Sequence, residues 1–181
     1  MGTKWLELVK EIAPGIARVA VIFNPKTAPY AASFLRSIEA AAPAFAVSVT
    51  AAPVHDAPDI ERAITLAGDE PNGALIVGAD IFTQLHHELI IALAAQHRLP
   101  AVYPFLYFAK SGGLLSYGVD IVELYRQAAI YIDRILKGAK PGDLPVQAPT
   151  KFKLVVNLKT AKALGIAIPP SIMVQADEVI E

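Results

Sequence analysis

Five short apolar segments alternate with helical segments along this chain, and this alternation limits the possible folds more than any other feature. The first segment reads Ala-Arg-Val-Ala-Val-Ile-Phe at residues 17–23, a run typical of a strand covered on both faces. Alternating strands and helices favour right-handed βαβ units with helices on both sides of a parallel sheet. We therefore predict the α/β class, with three layers around an open five-stranded parallel sheet. The predicted strands are residues 17–23, 46–52, 73–77, 100–103 and 114–117.

The segments between these strands carry apolar residues at helical spacing. In the first of them Trp5, Leu8 and Ile12 fall on one face of a helix, and a Pro-Gly pair follows as a stop. The predicted helices are residues 5–12, 29–42, 58–67, 83–97 and 122–136. Residues 104–113, which include three aromatic side chains, are predicted to form a loop.

Composition excludes several classes of function. The chain has 181 residues with a net charge of −1, so it lacks the basic footprint of a protein that binds nucleic acid or an anionic membrane. It has no cysteine, which excludes disulfides, thiolate metal sites and cysteine nucleophiles. The N-terminus has no basic segment followed by an apolar core, so we expect no signal peptide in this chain.

The C-terminal end departs from the alternating pattern. A linker rich in proline and glycine occupies residues 140–150, and a strand at residues 152–157 and a helix follow it. We predict one domain over residues 1–146 and a crossing linker with a returning tail over 147–181. The tail strand would be an uncovered edge in a monomer, so we expect a homodimer formed through residues 151–181.

Candidate binding residues follow from the predicted sheet. In open parallel sheets, ligands bind beyond the carboxyl ends of the strands, where the strand order switches. There, carboxylates could pair with an ammonium group, hydroxyls and backbone N–H groups could hold a carboxylate, and aromatic rings could stack on an apolar part of a solute. The predicted ligand-binding residues are Asn24, Pro25, Thr27, Asp80, Phe82, Tyr103, Phe105, Ser116, Tyr117, Gly118 and Asp120.

Each of these residue types also has a structural explanation. Asn24 before a proline is a common turn residue. Asp80 and Asp120 each precede a predicted helix and could be N-caps. Tyr103 and Phe105 could be ordinary core residues. The sequence alone leaves both interpretations open at these positions.

No motif indicates metal binding, a cofactor or catalysis. His86 and His87 are neighbours on a predicted helix and would point about 100° apart, so they are unsuited to holding one ion together. The chain contains neither a Gly-x-Ser-x-Gly elbow nor a Walker loop. We expect no enzyme activity. Two alternatives remain: a flavodoxin-like enzyme with Asp80 or Asp120 as acid or base, and a dimeric interaction module.

Several segments resemble the ABC-transporter substrate-binding proteins of the type that includes tryptophan- and tyrosine-binding members. The resemblance covers nearly the whole chain. It rests on Lys4-Trp-Leu-Glu-Leu-Val-Lys-Glu-Ile-Ala-Pro, Arg18-Val-Ala-Val-Ile-Phe-Asn-Pro, Arg98-Leu-Pro-Ala-Val-Tyr-Pro, Ser111-Gly-Gly-Leu-Leu-Ser-Tyr-Gly-Val-Asp, Tyr131-Ile-Asp-Arg-Ile-Leu-Lys-Gly, Asn157-Leu-Lys-Thr-Ala-Lys-Ala-Leu-Gly and Ala176-Asp-Glu-Val-Ile.

The resemblance implies a type I periplasmic-binding-protein architecture, with a solute held between two flavodoxin-like lobes. This chain would be the second, C-terminal lobe, and its tail would pack on the missing first lobe. The implied solute is a small organic molecule, with an amino acid, and an aromatic one, favoured. The implied partners are ABC permease subunits, and the full-length protein would be periplasmic. The family's ligand-facing loops fall on Asn24, Asp80, Tyr103, Gly118 and Asp120.

Overall fold

A single seven-stranded sheet forms the centre of the computed structural model, which describes residues 1–181. The order of the strands is β2-β1-β3-β4-β5-β6-β7. The first five strands in this order are parallel, as predicted, whereas β6 runs antiparallel to β5 and β7 runs parallel to β6. The α/β prediction is therefore confirmed. The strands are β1 Arg18–Phe23, β2 Ser48–Pro53, β3 Gly73–Val77, β4 Ala101–Tyr103, β5 Leu115–Val119, β6 Phe152–Asn157 and β7 Glu178–Ile180.

Nine α-helices surround or extend from this sheet. Short 3₁₀ turns at Ala42–Phe45 and Pro141–Asp143 complete the regular structure. None of the helices combines the length and apolar character needed to cross a membrane. The helices are α1 Gly2–Ile12, α2 Ala31–Ala41, α3 Ala57–Asp69, α4 Ile81–Leu85, α5 His87–Gln96, α6 Leu106–Lys110, α7 Ile121–Leu136, α8 Leu158–Leu164 and α9 Pro170–Gln175.

Two hydrophobic cores lie on the two faces of the sheet. Because successive strand residues point to opposite faces, Val21 of β1 enters one core and its neighbour Ile22 enters the other. Helices α1, α2, α8 and α9 contribute to the first core, and α3, α5 and α6 contribute to the second. Trp5 of α1 is fully buried in the first core, and its Nε1–H donates to the carbonyl oxygen of Tyr117 at 2.8 Å.

Two predicted segments differ in detail. The helix predicted over 83–97 is two helices, because the chain leaves helical geometry at His86 (φ −104°, ψ 18°). The loop predicted over 104–113 contains the five-residue helix α6. A helix this short gives too few turns for apolar periodicity to show in the sequence.

The tail differs most from expectation. The prediction that it packs on a missing lobe is wrong, because β6 pairs along its length with β5 of the same chain. Leu154, Val156 and Ala161 are buried in the first core, and Leu158 and Leu164 pack against it. The edge of β6 that was predicted to be uncovered is paired with β7. The expected dimer through the tail therefore loses its physical basis.

The tail should accordingly stabilise the fold of this chain. We expect Leu154→Ala to lower the free energy of unfolding by about 2–5 kcal/mol, since it removes a buried side chain and leaves a cavity. Val174→Ala is the control, because Val174 lies in the same tail with 87% of its surface exposed. Its effect should stay within about 0.5 kcal/mol. Urea unfolding of the two variants measures the difference, and equal effects would contradict the placement of β6.

Candidate functional site

The loops after β1 and β3 meet at the carboxyl edge of the sheet and are joined by one carboxylate. Asp80, only 2% exposed, accepts the backbone N–H of Asn24 at 3.2 Å and the hydroxyl of Thr27 at 3.3 Å. It also caps α4 by accepting the N–H of Thr83 at 2.8 Å. The N-cap interpretation of Asp80 is therefore confirmed, and the carboxylate also links two neighbouring loops.

Asn24 and Pro25 form the turn that follows β1. The side-chain oxygen of Asn24 accepts the N–H of Lys26 at 2.8 Å, which is the hydrogen bond of an Asx turn. Asn24 is buried, whereas Pro25 and Thr27 are exposed at the edge. The turn interpretation of Asn24 is confirmed, and the exposed part of this loop lies at Pro25 and Thr27.

A substitution separates the two roles of Asp80. We expect Asp80→Ala to destabilise the chain by about 2–4 kcal/mol, because the cap is lost and buried N–H groups lose their acceptor. Asp56→Ala is the matched control, since Asp56 caps α3 through a single hydrogen bond from Asp59 N–H. It should cost only about 1 kcal/mol. Similar losses in chemical denaturation would show that linking the loops contributes nothing.

Aromatic rings follow β4. Tyr103 is fully buried and stacks on Phe108 at 5.1 Å between ring centroids, and burial raises its pKa. Phe105 is half-buried and stacks on Tyr107 at 5.9 Å with nearly parallel rings. Tyr107 is 37% exposed, and burial raises its pKa to about 12. The core interpretation of Tyr103 is thus confirmed, and the exposed ring after β4 is Tyr107, which was not predicted as a site residue.

The sequence does indicate Tyr107, since three aromatic residues lie close together in the segment 104–113. What the sequence did not show was the helix α6, which turns Tyr107 toward solvent and Phe108 inward. His87 packs edge-on against Tyr107 at 5.4 Å. Phe82, another predicted site residue, instead contacts His86, with ring centroids 4.3 Å apart and the rings tilted by 34°.

The end of β5 is mostly occupied by structural contacts. Ser116 is buried, and its Oγ accepts the N–H of Ala109 at 3.1 Å. The ring of Tyr117 stacks on Phe152 of β6 at 5.8 Å. Gly118 passes so close to the neighbouring strand that an added Cβ would lie 1.9 Å from the carbonyl oxygen of Pro104. Ser116 and Gly118 therefore present no free polar side chain at the edge, whereas Tyr117 is half-buried.

Asp120 begins α7 and is held from two sides. Its carboxylate accepts the N–H groups of Val122 and Glu123 at 3.1 and 3.2 Å, and it pairs with the Lys153 ammonium at 2.9 Å. The hydrogen bond from Lys153 is the main reason that the pKa of Asp120 is lowered, and the same pair raises the pKa of Lys153. The N-cap interpretation of Asp120 is confirmed.

This pair makes a defined contribution to acid stability. A carboxyl whose folded pKa is depressed stabilises the fold above its unfolded pKa, about 3.9, and loses this contribution as pH falls through the lower folded value. Asp120→Asn keeps a good N-cap but removes the charge. We expect the variant to be less stable than wild type at pH 6 and the gap to close toward pH 2. Urea unfolding across this range measures the gap, and a gap independent of pH would contradict the assignment.

The family model for the ABC transporter substrate-binding proteins matches residues 2–180. The chain belongs to this family. A curated relative, the tyrosine-binding protein of Clostridioides difficile (strain R20291), is 24% identical over 163 residues, which are 90% of this chain and 47% of the relative. The chain therefore spans about half the length of that protein.

Two solved structures share the fold of this family member. One is an ABC domain from Streptococcus pneumoniae in complex with L-Trp, with a TM-score of 0.88 and 24% identity over 99% of this chain. The other is a conserved domain protein from Vibrio cholerae, with a TM-score of 0.87 and 27% identity over 98% of this chain. In both cases the match covers 60% of the solved chain, so each relative contains a large part with no counterpart here.

A groove of about 520 Å³ lies elsewhere in this chain, between α3 and strands β1 and β2. None of the predicted site residues lines it. No group of three or more His, Cys, Asp and Glu side chains is arranged to hold a metal ion. Among the side chains described above at the carboxyl edge, Thr27 and Tyr107 are exposed and Phe105 is half-buried. They combine a hydroxyl with aromatic rings and contain no free carboxylate.

Proposed function

We propose that this chain is one lobe of the solute-binding component of an ABC importer. In this proposal an aromatic amino acid binds at the carboxyl edge of the sheet, between this lobe and another. Membership of the substrate-binding family supports the importer role and a position outside the cytoplasm, with permease subunits as partners. The tyrosine-binding relative and the neighbour bound to L-Trp support an aromatic solute.

The observation that carries the aromatic preference is the ring of Tyr107. It stacks with Phe105 and Phe108 at 5.9 and 5.0 Å between ring centroids and keeps 37% of its surface exposed. A second ring placed on such a surface gains apolar burial and stacking, worth about 0.5–1.5 kcal/mol beyond the burial itself. Thr27, whose hydroxyl donates to Asp80, offers its hydroxyl oxygen as an acceptor from the loop after β1 at the same edge. These side chains are the proposed contacts to the solute.

One lobe alone should bind weakly. When two lobes close on a solute, both of its faces leave water, whereas a single lobe leaves about half of the solute exposed. A loss of ~4 kcal/mol of contact energy corresponds to an affinity about a thousandfold lower. We therefore expect tight solute binding only in the two-lobed protein.

The structure offers little to the enzyme alternative. Asp80 is buried and already accepts hydrogen bonds from three protein groups. Asp120 has a lowered pKa and is paired with Lys153, which makes it a poor proton acceptor near neutral pH. We propose binding without catalytic turnover.

Calorimetric titration tests the proposal with this chain and with the full-length protein that includes the other lobe. The probes are L-Trp, L-Tyr, L-Phe and, as an aliphatic comparison, L-Leu. We expect the aromatic amino acids to bind the full-length protein most tightly. Tyr107→Ala should weaken this binding about fivefold to tenfold, since it removes one stacking surface.

Leu66→Ala is the control variant, because Leu66 is 62% exposed and lies on α3 beside the groove, away from the carboxyl edge. It should leave the affinity unchanged. Equal affinity for L-Leu and the aromatic amino acids would reject the aromatic preference. An absence of binding to any amino acid would reject the proposed solute class.

A further inference from the structure

Strand β2 is an open edge of the sheet. It stands at one end of the strand order and pairs on one side only, with β1. The N–H groups of Ser48 and Val54 donate to carbonyl oxygens at the two ends of β1, each at 2.9 Å. In a parallel pair, alternate residues of a strand face the neighbouring strand. Val49 and Ala51 therefore direct their backbone N–H and C=O groups outward, where no strand receives them.

This edge lacks the features that usually protect one. Native edge strands are commonly very short, charged, interrupted by proline or covered by another element. Strand β2 reads Ser-Val-Thr-Ala-Ala-Pro, without a charge, and its proline comes only at the last position. The other edge of the sheet, β7, has three residues and carries Glu178, which pairs with Lys110 at 2.9 Å. The sheet is thus protected at one end and open to an added strand at the other.

One face of β2 is covered and the other is open. On the first face, Val49 packs against the first core. On the second face, α3 packs on β1 and β3, which leaves Ser48 and Thr50 exposed beside the groove of about 520 Å³. Ala51 and Pro53 also line this groove, although their side chains point to the first face, so the groove extends to the outer edge of β2. A strand added at this edge would place every second side chain in the groove.

Small side chains line the middle of the groove. Ala20 and Ala52 lie on the sheet side, and Ala63 and Ala67 lie on α3. Leu66, with 62% of its surface exposed, projects beside them. A concave surface of small and apolar residues has room for larger apolar side chains and gains free energy when they displace water from it.

The charged side chains of the groove are already paired. Arg18 lies 2.7 Å from Glu70 at the end of α3 near the amino edge of the sheet. Arg62 pairs with Asp59 at the end of α3 near the carboxyl edge. These two pairs stand on either side of the apolar middle. Because each cation has its own carboxylate, the groove favours an occupant whose central part is uncharged.

We propose that the edge of β2 and the groove beside it form a docking site for an extended, apolar segment of another protein, which is added to the sheet as a further strand. Its support is the outward backbone groups of Val49 and Ala51, which match an extended backbone, and a groove that accepts side chains with a period of two. The site is separate from the carboxyl edge, so the proposal does not rest on the proposed solute.

A second copy of β2 is a poorer occupant. It could satisfy the same backbone groups by pairing edge to edge. However, it would offer to the groove only Ser48, Thr50 and Ala52, which are small and leave the space between the helices unfilled. The groove therefore favours a strand with large apolar side chains at alternate positions.

A peptide with this alternation tests the proposal. The probe is acetyl-Lys-Leu-Thr-Leu-Thr-Leu-Lys-amide, and the control peptide of equal composition is acetyl-Lys-Leu-Leu-Leu-Thr-Thr-Lys-amide. Each is titrated into the chain of residues 1–181 and followed by amide NMR. We expect the alternating peptide to bind with a Kd below about 1 mM and to shift the amides of Val49 and Ala51. The control peptide should bind at least about tenfold more weakly.

N-methylated peptides test the backbone pairing without changing the protein. An extended strand turns alternate N–H groups toward its neighbour, so methyl groups on the Leu nitrogens and on the Thr nitrogens block opposite sides of the probe. One methylated version should lose at least about tenfold in affinity, because its donors to β2 are removed. The other should bind within about threefold of the unmodified probe.

Two variants at one position test the edge from the side of the protein. Ala51→Pro removes an N–H that faces outward, a change that an edge strand tolerates, and should weaken the probe at least about tenfold. Ala51→Thr keeps the N–H and is the matched control, with an expected change of less than about twofold.

Three results would overturn the proposal. The first is no binding of the alternating peptide up to about 1 mM, or equal binding of the control peptide. The second is undiminished affinity for both methylated peptides. The third comes from sedimentation of residues 1–181 without peptide: a dimer that Ala51→Pro abolishes and Ala51→Thr keeps would assign the edge to a second copy of this chain.

Discussion

The antiparallel pairing of β6 with β5 is the interaction on which most of this structure depends. It adds the C-terminal segment to the sheet and buries Leu154 and Val156 in the first core. It also places Lys151 and Lys153 beside the start of α7, where they pair with Glu123 and Asp120. One ladder therefore joins the C-terminal segment to the sheet and sets the point from which α7 projects. Without it, β5 would be an open sheet edge, and the two crossing segments would be independent linkers.

The parallel half of the fold was readable from the sequence because buried strands and helix caps leave local signals. Runs such as residues 17–23 and capping aspartates such as Asp56 lie within a few residues of the structure they specify. The position of the tail was not readable in this way. Residue 156 pairs with residue 115, and nothing local distinguishes a strand that returns to its own sheet from one that joins another body. The apolar pattern of α7 predicted a helix but not the absence of a partner within this lobe.

At the candidate site, the sequence predicted where the polar residues lie better than it predicted what each of them does. The polar residues expected at the carboxyl edge are there, but the fold uses most of them. Asp80 ties two loops, Asp120 starts a helix, and Ser116 holds the backbone of α6. A carboxylate that precedes a helix is equally compatible with capping and with ligand binding, so only the hydrogen bonds separate the two. The exposure of the Tyr107 ring is set by α6. This helix has five residues, too few for its apolar periodicity to be recognised in the sequence.

Trp5 is an intrinsic fluorophore next to the end of β5, where the chain leaves the sheet. It is the only tryptophan in the chain, and its indole N–H is bonded to the carbonyl of Tyr117, next to the last residues of β5 before the crossing. Its ring also lies 5.6 Å from that of Phe34 in the first core. Any bending of the crossing that displaces this carbonyl alters the hydrogen bond and hence the emission of the indole. In the proposed two-lobed protein, intrinsic fluorescence would therefore report lobe movement without an added label, provided that the solute is not itself tryptophan.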